Sequence, residues 1–437
     1  MGLTSYLALF SLLAATFVSA WNDFTTLHPV LAPSYDTSEL ANIVPSTNVS
    51  LDYGLDEPTD PRSGVSIDLQ TDHPAVLLEA IGAVLQVACA SSTVTVTFST
   101  QAAFERSILE WPRDGKFYLI TQNSGNYDAR AERGIYRVNS LSWDDESLTV
   151  MAQTSPETLA SVASESRIVQ DTGINVASNF TLPSDMEIFS DPPYFTANAN
   201  EGYLSDAAII RGHFNYDVPS SQIQDLVFDI DAALFGNLAV TFNLTAPVSN
   251  NNYVFSPGIF LPSVLSVPSA FSLQPALRWT IGADVGAVGA VYHSSNITVT
   301  IPDGHAHIDF LNGNSSYAVG WAPRLASSVT TGEAATGHAS PYMDFSIELD
   351  LNILNGRYNV TGGISARPQF VNELNVAQSQ TRIRKADRMI WPRNVTCANG
   401  FELRSAFDFN VTAYVADLWQ KTLYNTQIPV ADECYHF

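Results

Sequence analysis

The chain is poor in basic residues. It has 20 lysines and arginines against 44 aspartates and glutamates, which gives a formal net charge of −24 over 437 residues. A surface with this charge repels phosphate backbones and anionic lipid headgroups. We therefore expect neither a nucleic-acid partner nor a membrane-surface partner.

Long apolar runs and catalytic motifs are also missing. The longest apolar stretch beyond the first twenty residues, 75–90, is interrupted by Glu79 and Gln86, so no membrane span is predicted. The chain has no nucleophile elbow, no zinc-protease motif, no phosphate-binding loop and no dinucleotide fingerprint. The sequence therefore indicates no catalytic residue, no cofactor and no metal ligand, and it favours a protein that is not an enzyme.

Cysteine is scarce, with three residues in the whole chain. In an oxidising compartment one of the three would stay unpaired. Cys397 and Cys434 flank the last predicted strand, and we expect them to form a disulfide that stabilises the fold by roughly 3 to 4 kcal/mol. Cys89 lies in an apolar run and is expected to be a buried, unreactive thiol.

The first twenty residues have the pattern of a signal peptide. An uncharged start leads into an apolar run at 7–17, and small residues at Val18 and Ala20 predict cleavage before Trp21. The C-terminus has no hydrophobic tail of the kind that a lipid anchor requires. We therefore expect a secreted, extracellular protein.

Eight Asn-x-Ser/Thr triplets are candidate N-glycosylation sites. They begin at Asn48, Asn179, Asn243, Asn296, Asn314, Asn359, Asn394 and Asn410. Those at 243, 296, 359 and 410 lie on runs in which apolar and polar residues alternate, with Asn and Thr on the polar side. Because strand side chains alternate between faces, this register predicts sheets that are buried on one face and glycosylated on the other. Binding sites are then expected at loop ends, at the domain junction or in segment 254–291.

The periodicity predicts a mainly β protein with a small β-rich first domain that contains one helix, followed by an antiparallel β-sandwich domain. The predicted parts are a signal peptide at 1–20, an extended arm at 21–64, the first domain at 65–154, a linker at 155–185 and the sandwich with its C-terminal strand and disulfide at 186–437. The turn Asn355-Gly356 predicts a hairpin that pairs Ile353 with Tyr358.

Segment 254–291 is apolar and interrupted by prolines and glycines. Proline removes a backbone donor, so this segment is expected to form short edge strands or a wrapping loop. It could line a lipid-binding groove or form part of an ordinary core.

Asp229 and Asp231 resemble the acidic strand motif of one chitinase family. That family has its general acid, a glutamate, at the position that Ala233 occupies here. Without this acid the glycosidic oxygen could not be protonated, so the match is rejected.

Two further sets of polar residues share a strand face. His305, His307 and Asp309 could hold a metal ion, although the absence of a visible fourth ligand favours a plain polar face. The second set is an acidic row, for which a solvated face is expected: Asp344, Glu348 and Asp350.

Several apolar motifs resemble a family of uncharacterised secreted fungal proteins. These are the segments 73–79, 111–112, 132–136 and 258–262. The resemblance would cover most of the chain, and it implies two consecutive domains of unknown function. It implies no catalytic residue.

The sequence thus predicts a secreted, N-glycosylated, extracellular or cell-wall-associated protein with a binding or structural role and no catalysis. The expected partner is a cell-wall polysaccharide or another extracellular protein. The alternatives are a secreted carbohydrate-active hydrolase, with acidic residues brought together from distant strands, and a lipid-binding protein with an apolar groove.

Overall fold

The structure, a computed structural model, describes residues 24–32, 35–54, 64–122, 133–217, 222–260, 264–267, 270–331, 336–353, 356, 358–376 and 400–436. The predicted signal peptide, Asn394 and Cys397 lie outside the described residues. Two α-helices are described, α1 (Gln101–Glu110) and α2 (Leu159–Val162). No described helix has the length and apolar character that a membrane crossing requires.

The described chain is mainly β. Its strands are β1 (Phe24–Thr26), β2 (His28–Val30), β3 (Ser46–Gly54), β4 (Gly64–Leu77), β5 (Val84–Ala90), β6 (Thr93–Phe98), β7 (Tyr118–Thr121), β8 (Gly134–Asp144), β9 (Thr149–Glu157), β10 (Ala163–Leu182), β11 (Met186–Asp191), β12 (Phe195–Asp217), β13 (Gln222–Leu244), β14 (Val248–Phe260), β15 (Val264–Val267), β16 (Phe271–Ala287), β17 (Val291–Asp309), β18 (Tyr317–Val319), β19 (Arg324–Thr331), β20 (Gly337–Ile353), β21 (Tyr358–Val376), β22 (Gly400–Val415) and β23 (Trp419–His436).

These strands form two sheets. The larger sheet has 15 strands in the order β18-β17-β13-β12-β10-β4-β7-β8-β9-β6-β5, with β19 beside β17, β11 beside β12, β3 beside β4 and β2 beside β3. The smaller sheet has eight strands in the order β1-β15-β16-β20-β21-β22-β23, with β14 beside β16. The predicted hairpin is present, since Ile353 pairs with Tyr358 between β20 and β21.

The two sheets pack face to face around one large core. Along β13, buried and less buried residues alternate over almost its whole length, as expected of a strand with one covered face. Aromatic rings from opposite sheets meet in this core: Phe180 lies 5.8 Å from Trp279, and Phe214 lies 5.6 Å from Phe271, between ring centroids. The mainly β fold with a sandwich is therefore confirmed.

A second, smaller core is built around α1. Thr100 caps this helix by accepting a hydrogen bond from the N–H of Ala103 at 3.4 Å. The side chain of Phe104, within the helix, is fully buried. The indole of Trp111, just after the helix, donates to the carbonyl of Ile43 at 2.9 Å. The one helix predicted for the first domain is therefore present.

The segment predicted as a linker, 155–185, is mostly strand. Strand β10 occupies most of it and runs between β4 and β12 in the larger sheet. Its inward positions include Ser166 and Ser178, which are buried, so the apolar alternation that marks other strands is interrupted. The strand is defined by its pairing with β4 and β12, which the local sequence pattern does not show.

The N-terminal arm contributes strands to both sheets. Strand β1 pairs parallel with β15 of the smaller sheet, and β3 pairs antiparallel with β4 of the larger one. Arg133 holds the arm in place: its Nη2 donates to the carbonyls of Val30 and Asp52, both at 3.0 Å, and its Nη1 forms a buried ion pair with Glu79.

The expectation of short edge strands or a loop in 254–291 is wrong for its second half. Strand β16 has 17 residues and lies inside the smaller sheet between β20 and the pair β14 and β15. Pro275 pairs with Leu349 of β20, but no described residue of β14 or β15 pairs with it. The strand is locally an edge at this point, so the missing N–H breaks no ladder bond.

The cysteines are only partly described. Cys89 is half-buried on β5, and burial raises the pKa of its thiol. The backbone of Cys434 pairs with Glu402, but the side chain of Cys434 and all of Cys397 lie outside the described residues. The Cys397–Cys434 disulfide stays a prediction.

Candidate functional site

Strands β13 and β17 bring together two pairs of residues that are far apart in the sequence. In their antiparallel register, Asp229 lies opposite His307 and Asp231 opposite His305. The residues between them, Ile230 among them, are buried, so all four polar side chains face outward. The acidic pair and the histidine pair form one cluster.

Each histidine is hydrogen-bonded to one aspartate. His305 Nδ1 lies 2.8 Å from Asp231 Oδ1, and His307 Nδ1 lies 2.8 Å from Asp229 Oδ1. Since an ionised carboxylate only accepts, Nδ1 donates in both pairs, and Nε2 is the acceptor nitrogen of each neutral ring. The Nε2 of His305 is also 3.8 Å from Asp229 Oδ1. The aspartates therefore set the orientation of both imidazoles.

An arginine from the next strand extends the cluster. Arg211 of β12 lies opposite Asp229, and its Nη1 donates to Asp231 Oδ2 at 2.5 Å. This hydrogen bond, followed by the one from His305, holds the pKa of Asp231 below its usual range. Asp231 is therefore a carboxylate over most of the pH range and an acceptor of hydrogen bonds.

An exposed tyrosine completes the row on the other side. Tyr317 of β18 lies opposite His307, and the two rings stack with 4.9 Å between centroids and an interplanar angle of 18°. The tyrosine remains 48% exposed. We name the six residues of this cluster the His–Asp patch: Arg211, Asp229, Asp231, His305, His307 and Tyr317.

Asp309 does not join the patch. Its Oδ1 accepts hydrogen bonds from the backbone N–H groups of Leu311 and Asn312, both at 2.9 Å, and so shapes the loop after β17. The metal-binding interpretation of His305, His307 and Asp309 therefore lacks its carboxylate. Within the described parts of the chain, no group of three or more His, Cys, Asp or Glu residues is arranged to hold a metal ion.

The acidic row of β20 lies on the outer face of the smaller sheet, and side chains from neighbouring strands hold it. The partners are Arg367 and Ser365 for Asp344, Arg278 and Tyr414 for Glu348, and Thr361 for Asp350. Asp344 and Glu348 are only 18% exposed. The row braces the sheet rather than facing solvent freely.

Seven of the eight candidate glycosylation sites are described. Six of these asparagines are exposed and Asn410 is partly exposed. Asn179, Asn243 and Asn296 share the outer face of the larger sheet with the His–Asp patch, whereas the sequence argument places binding sites away from glycosylated faces. Asn296 lies nine positions from His305 along β17, about 30 Å of extended chain, and Asn243 lies twelve positions from Asp231 along β13. Sugars at these two asparagines would leave the patch open. Attachment of sugar stays a prediction.

One part of the chain is similar to a known protein family. Residues 68–167 match the model of a domain of unknown function, DUF7029. This stretch contains α1 and most of the second core, and it ends before the first residue of the patch. Neither the curated proteins nor the solved structures gave a match. The second family domain and the fungal origin stay predictions.

In the sequence, the two aspartates and the two histidines belong to two separate motifs. The missing information was the pairing of β13 with β17, which joins residues 78 positions apart. One feature of the sequence was informative, namely the spacing of two residues within each pair. On adjacent antiparallel strands, two pairs with this spacing can lie opposite each other and share an outward face. Arg211 and Tyr317 had no signal in the sequence.

Proposed function

We propose that this chain is a secreted extracellular glycoprotein that binds cell-wall polysaccharide through the His–Asp patch, without catalysis. The observation that carries the proposal is the stacked pair of His307 and Tyr317 on an open sheet face, beside hydrogen-bonded carboxylates. A polymer can lie across such a face without threading into a cleft.

The chemistry of the patch suits sugar rings. The apolar face of a pyranose packs on an aromatic ring, and Tyr317 offers a large exposed one. Sugar hydroxyls both donate and accept hydrogen bonds, which matches the carboxylates of Asp229 and Asp231 and the guanidinium of Arg211. The acidic surface further supports a ligand that is not an anion.

The hydrolase alternative has less support from the same residues. Asp229 and Asp231 are about 7 Å apart along the strand, within the range of glycosidase carboxylates. A general acid needs a raised pKa, but Arg211 and His305 lower that of Asp231. The position of the missing glutamate holds Ala233, which is exposed beside the patch.

The lipid alternative depends on segment 254–291. There, Leu277, Trp279 and Ile281 of β16 are fully buried in the core that the two sheets share. Apolar side chains used in this way are not available to line a groove. Polysaccharide binding is therefore the function that the described residues support best.

The proposal is tested by incubating the purified protein with a series of insoluble and soluble cell-wall polysaccharides and measuring depletion from solution. Tyr317→Ala should weaken binding to the recognised polymer about tenfold, because stacking on one aromatic ring contributes roughly 1 kcal/mol or more. Tyr292→Ala is the matched control, since Tyr292 is 45% exposed on the same outer face but at the other end of β17. Absence of binding to every polymer, or equal losses in the two variants, would refute the proposal.

A further inference from the structure

A shallow groove of about 380 Å³ runs beside the His–Asp patch on the outer face of the larger sheet. Its floor consists of three exposed alanines on neighbouring strands: Ala177 of β10 lies opposite Ala207 of β12, which lies opposite Ala233 of β13. Pro302 and Asp303 of β17 continue it. The groove therefore crosses four strands at right angles, over about 14 Å at the usual strand spacing.

Larger side chains border the alanine floor on both sides. On one side lie Ile209 and Asp231, so the groove is continuous with the patch. On the other side, the next row of the sheet contains Phe235, which is 40% exposed and lies 5.9 Å from Tyr203 between ring centroids. The candidate glycosylation residue Asn179 ends this row on β10. The groove thus lies between an acidic edge and an aromatic edge. A flat apolar floor with an aromatic edge suits sugar rings laid end to end.

The charge of the groove is negative. Asp231 and Asp303 are the charged residues that line it, and the described lining contains no Lys, Arg or His. Arg211 already compensates Asp231, whereas no ion pair within the described ranges engages Asp303. With a net charge of −24 on the chain, a cationic ligand is attracted and an anionic one is repelled.

We propose that this groove binds a single chain of a linear cationic polysaccharide, an amino-sugar polymer with free amines. Its rings lie flat on Ala177, Ala207 and Ala233, and an ammonium group faces Asp303. This inference rests on the proposed function and narrows it to one class of polymer. It also gives Ala233 a role, because a longer side chain there would fill the floor.

Size-matched soluble oligomers test the inference, one with free, protonated amines and one fully N-acetylated, with binding measured by calorimetry. The free-amine oligomer should bind at least fivefold more tightly. Asp303→Asn should remove most of this difference and leave binding of the acetylated oligomer unchanged. Raised salt should also weaken binding of the free-amine oligomer and leave binding of the acetylated oligomer unchanged.

Filling the floor tests the position of the chain. Ala207→Phe should reduce binding of the free-amine oligomer more than tenfold, and Ala177→Gln should reduce it several-fold. Ala326→Phe is the control, since Ala326 is exposed on the same outer face, on β19, away from the groove. Phenylalanine suits exposed strand positions, and thermal unfolding verifies that each variant is folded.

The outcomes separate the two proposals. Equal binding of both oligomers, or an Asp303→Asn variant that keeps the preference, overturns the cationic-polymer inference and leaves polysaccharide binding intact. Unchanged binding by folded Ala207→Phe overturns the groove. Absence of binding to every polysaccharide, charged or neutral, refutes the proposed function as well.

Discussion

The outer faces of the two sheets carry similar acidic rows but hold them differently. On the smaller sheet, Asp344 is bound by two nitrogens of Arg367, at 3.0 and 2.6 Å, and is 18% exposed. On the larger sheet, Asp229 is bound by His307 and is 40% exposed. Arginines on neighbouring strands hold Asp344 and Glu348, whereas Asp229 is held by an imidazole and stays more open. Asp231, beside Asp229, is bound by both Arg211 and His305.

This difference separates carboxylates that brace a sheet from carboxylates that are open to a ligand. A carboxylate enclosed by a guanidinium has few directions left for a ligand, while one held by an imidazole edge still has acceptor positions towards solvent. An acidic side chain on an outer sheet face is therefore either enclosed or left open, and the side chains of the neighbouring strands decide which. The effect of a partner is largest at buried polar groups, because water cannot replace a missing hydrogen bond there.

His293 is the first such group. It is fully buried next to Phe242, neither ring nitrogen has a hydrogen-bond partner within the described residues, and burial lowers its pKa to about 4. Because the unfolded chain takes up a proton near pH 6.5 and the folded chain does not, stability falls as pH drops from about 6.5 to 4, by about 3 kcal/mol. His293→Phe should abolish this loss in urea unfolding measured across that range. An unchanged acid slope in the variant would exclude His293 as its source.

Asp206 has the opposite effect. It is buried, Ser178 donates to one of its oxygens, and its Oδ2 lacks a hydrogen-bond partner in the described chain. Burial raises its pKa to about 6, so the folded state binds the proton more tightly and stability falls as pH rises from about 4 to 6. Asp206→Asn should stabilise the protein at pH 7 by up to about 3 kcal/mol and leave a steeper acid loss from His293. A variant that is less stable at pH 7 would show that the carboxylate contributes favourably.

The braced row of the smaller sheet gives the next effect. Asp344→Asn removes the charge that binds Arg367 and leaves that guanidinium without its partner. We expect the free energy of unfolding to fall by about 1 to 2 kcal/mol in urea titrations. Asp229→Asn, on the more exposed row, should change stability by less than about 0.5 kcal/mol. Equal losses in the two variants would remove the distinction between the faces.

Lys421 gives the smallest effect. Its Nζ donates to the carbonyls of Gly313 and Ser316, both at 2.9 Å, and so holds the loop that leads to Tyr317. Lys421→Met should weaken polysaccharide binding about threefold, while stability changes by less than about 1 kcal/mol. Lys116→Met serves as the control, since Lys116 is an exposed lysine on another part of the chain. Unchanged polysaccharide binding by Lys421→Met would show that the loop keeps its position without the lysine.

Much of the fold could be predicted from local patterns, and the site only in part. Alternation predicts a mainly β chain, the periodicity predicts one helix in the first domain, and Asn355-Gly356 predicts a hairpin. Strand β10 was missed because two of its buried positions are serines. The central place of β16 was missed because its proline lies where neighbouring strands leave a gap.

The site depends on long-range pairing. Alternation shows that His305 and His307 share a face, but only the register with β13 shows that Asp229 and Asp231 are their partners. The position of Tyr317 depends on a loop that residues of β23 hold from another sheet. Such contacts leave no periodic trace in the sequence.

The most direct test compares Asp229→Asn and Asp344→Asn in one polysaccharide depletion assay. Each variant loses one carboxylate charge from an outer sheet face, so the change in net charge is the same. We predict that Asp229→Asn weakens binding about tenfold, or about 1.4 kcal/mol, and that Asp344→Asn binds like the unmodified protein. Equal affinities of the two variants, or a loss confined to Asp344→Asn, would contradict the assignment of binding to the larger sheet.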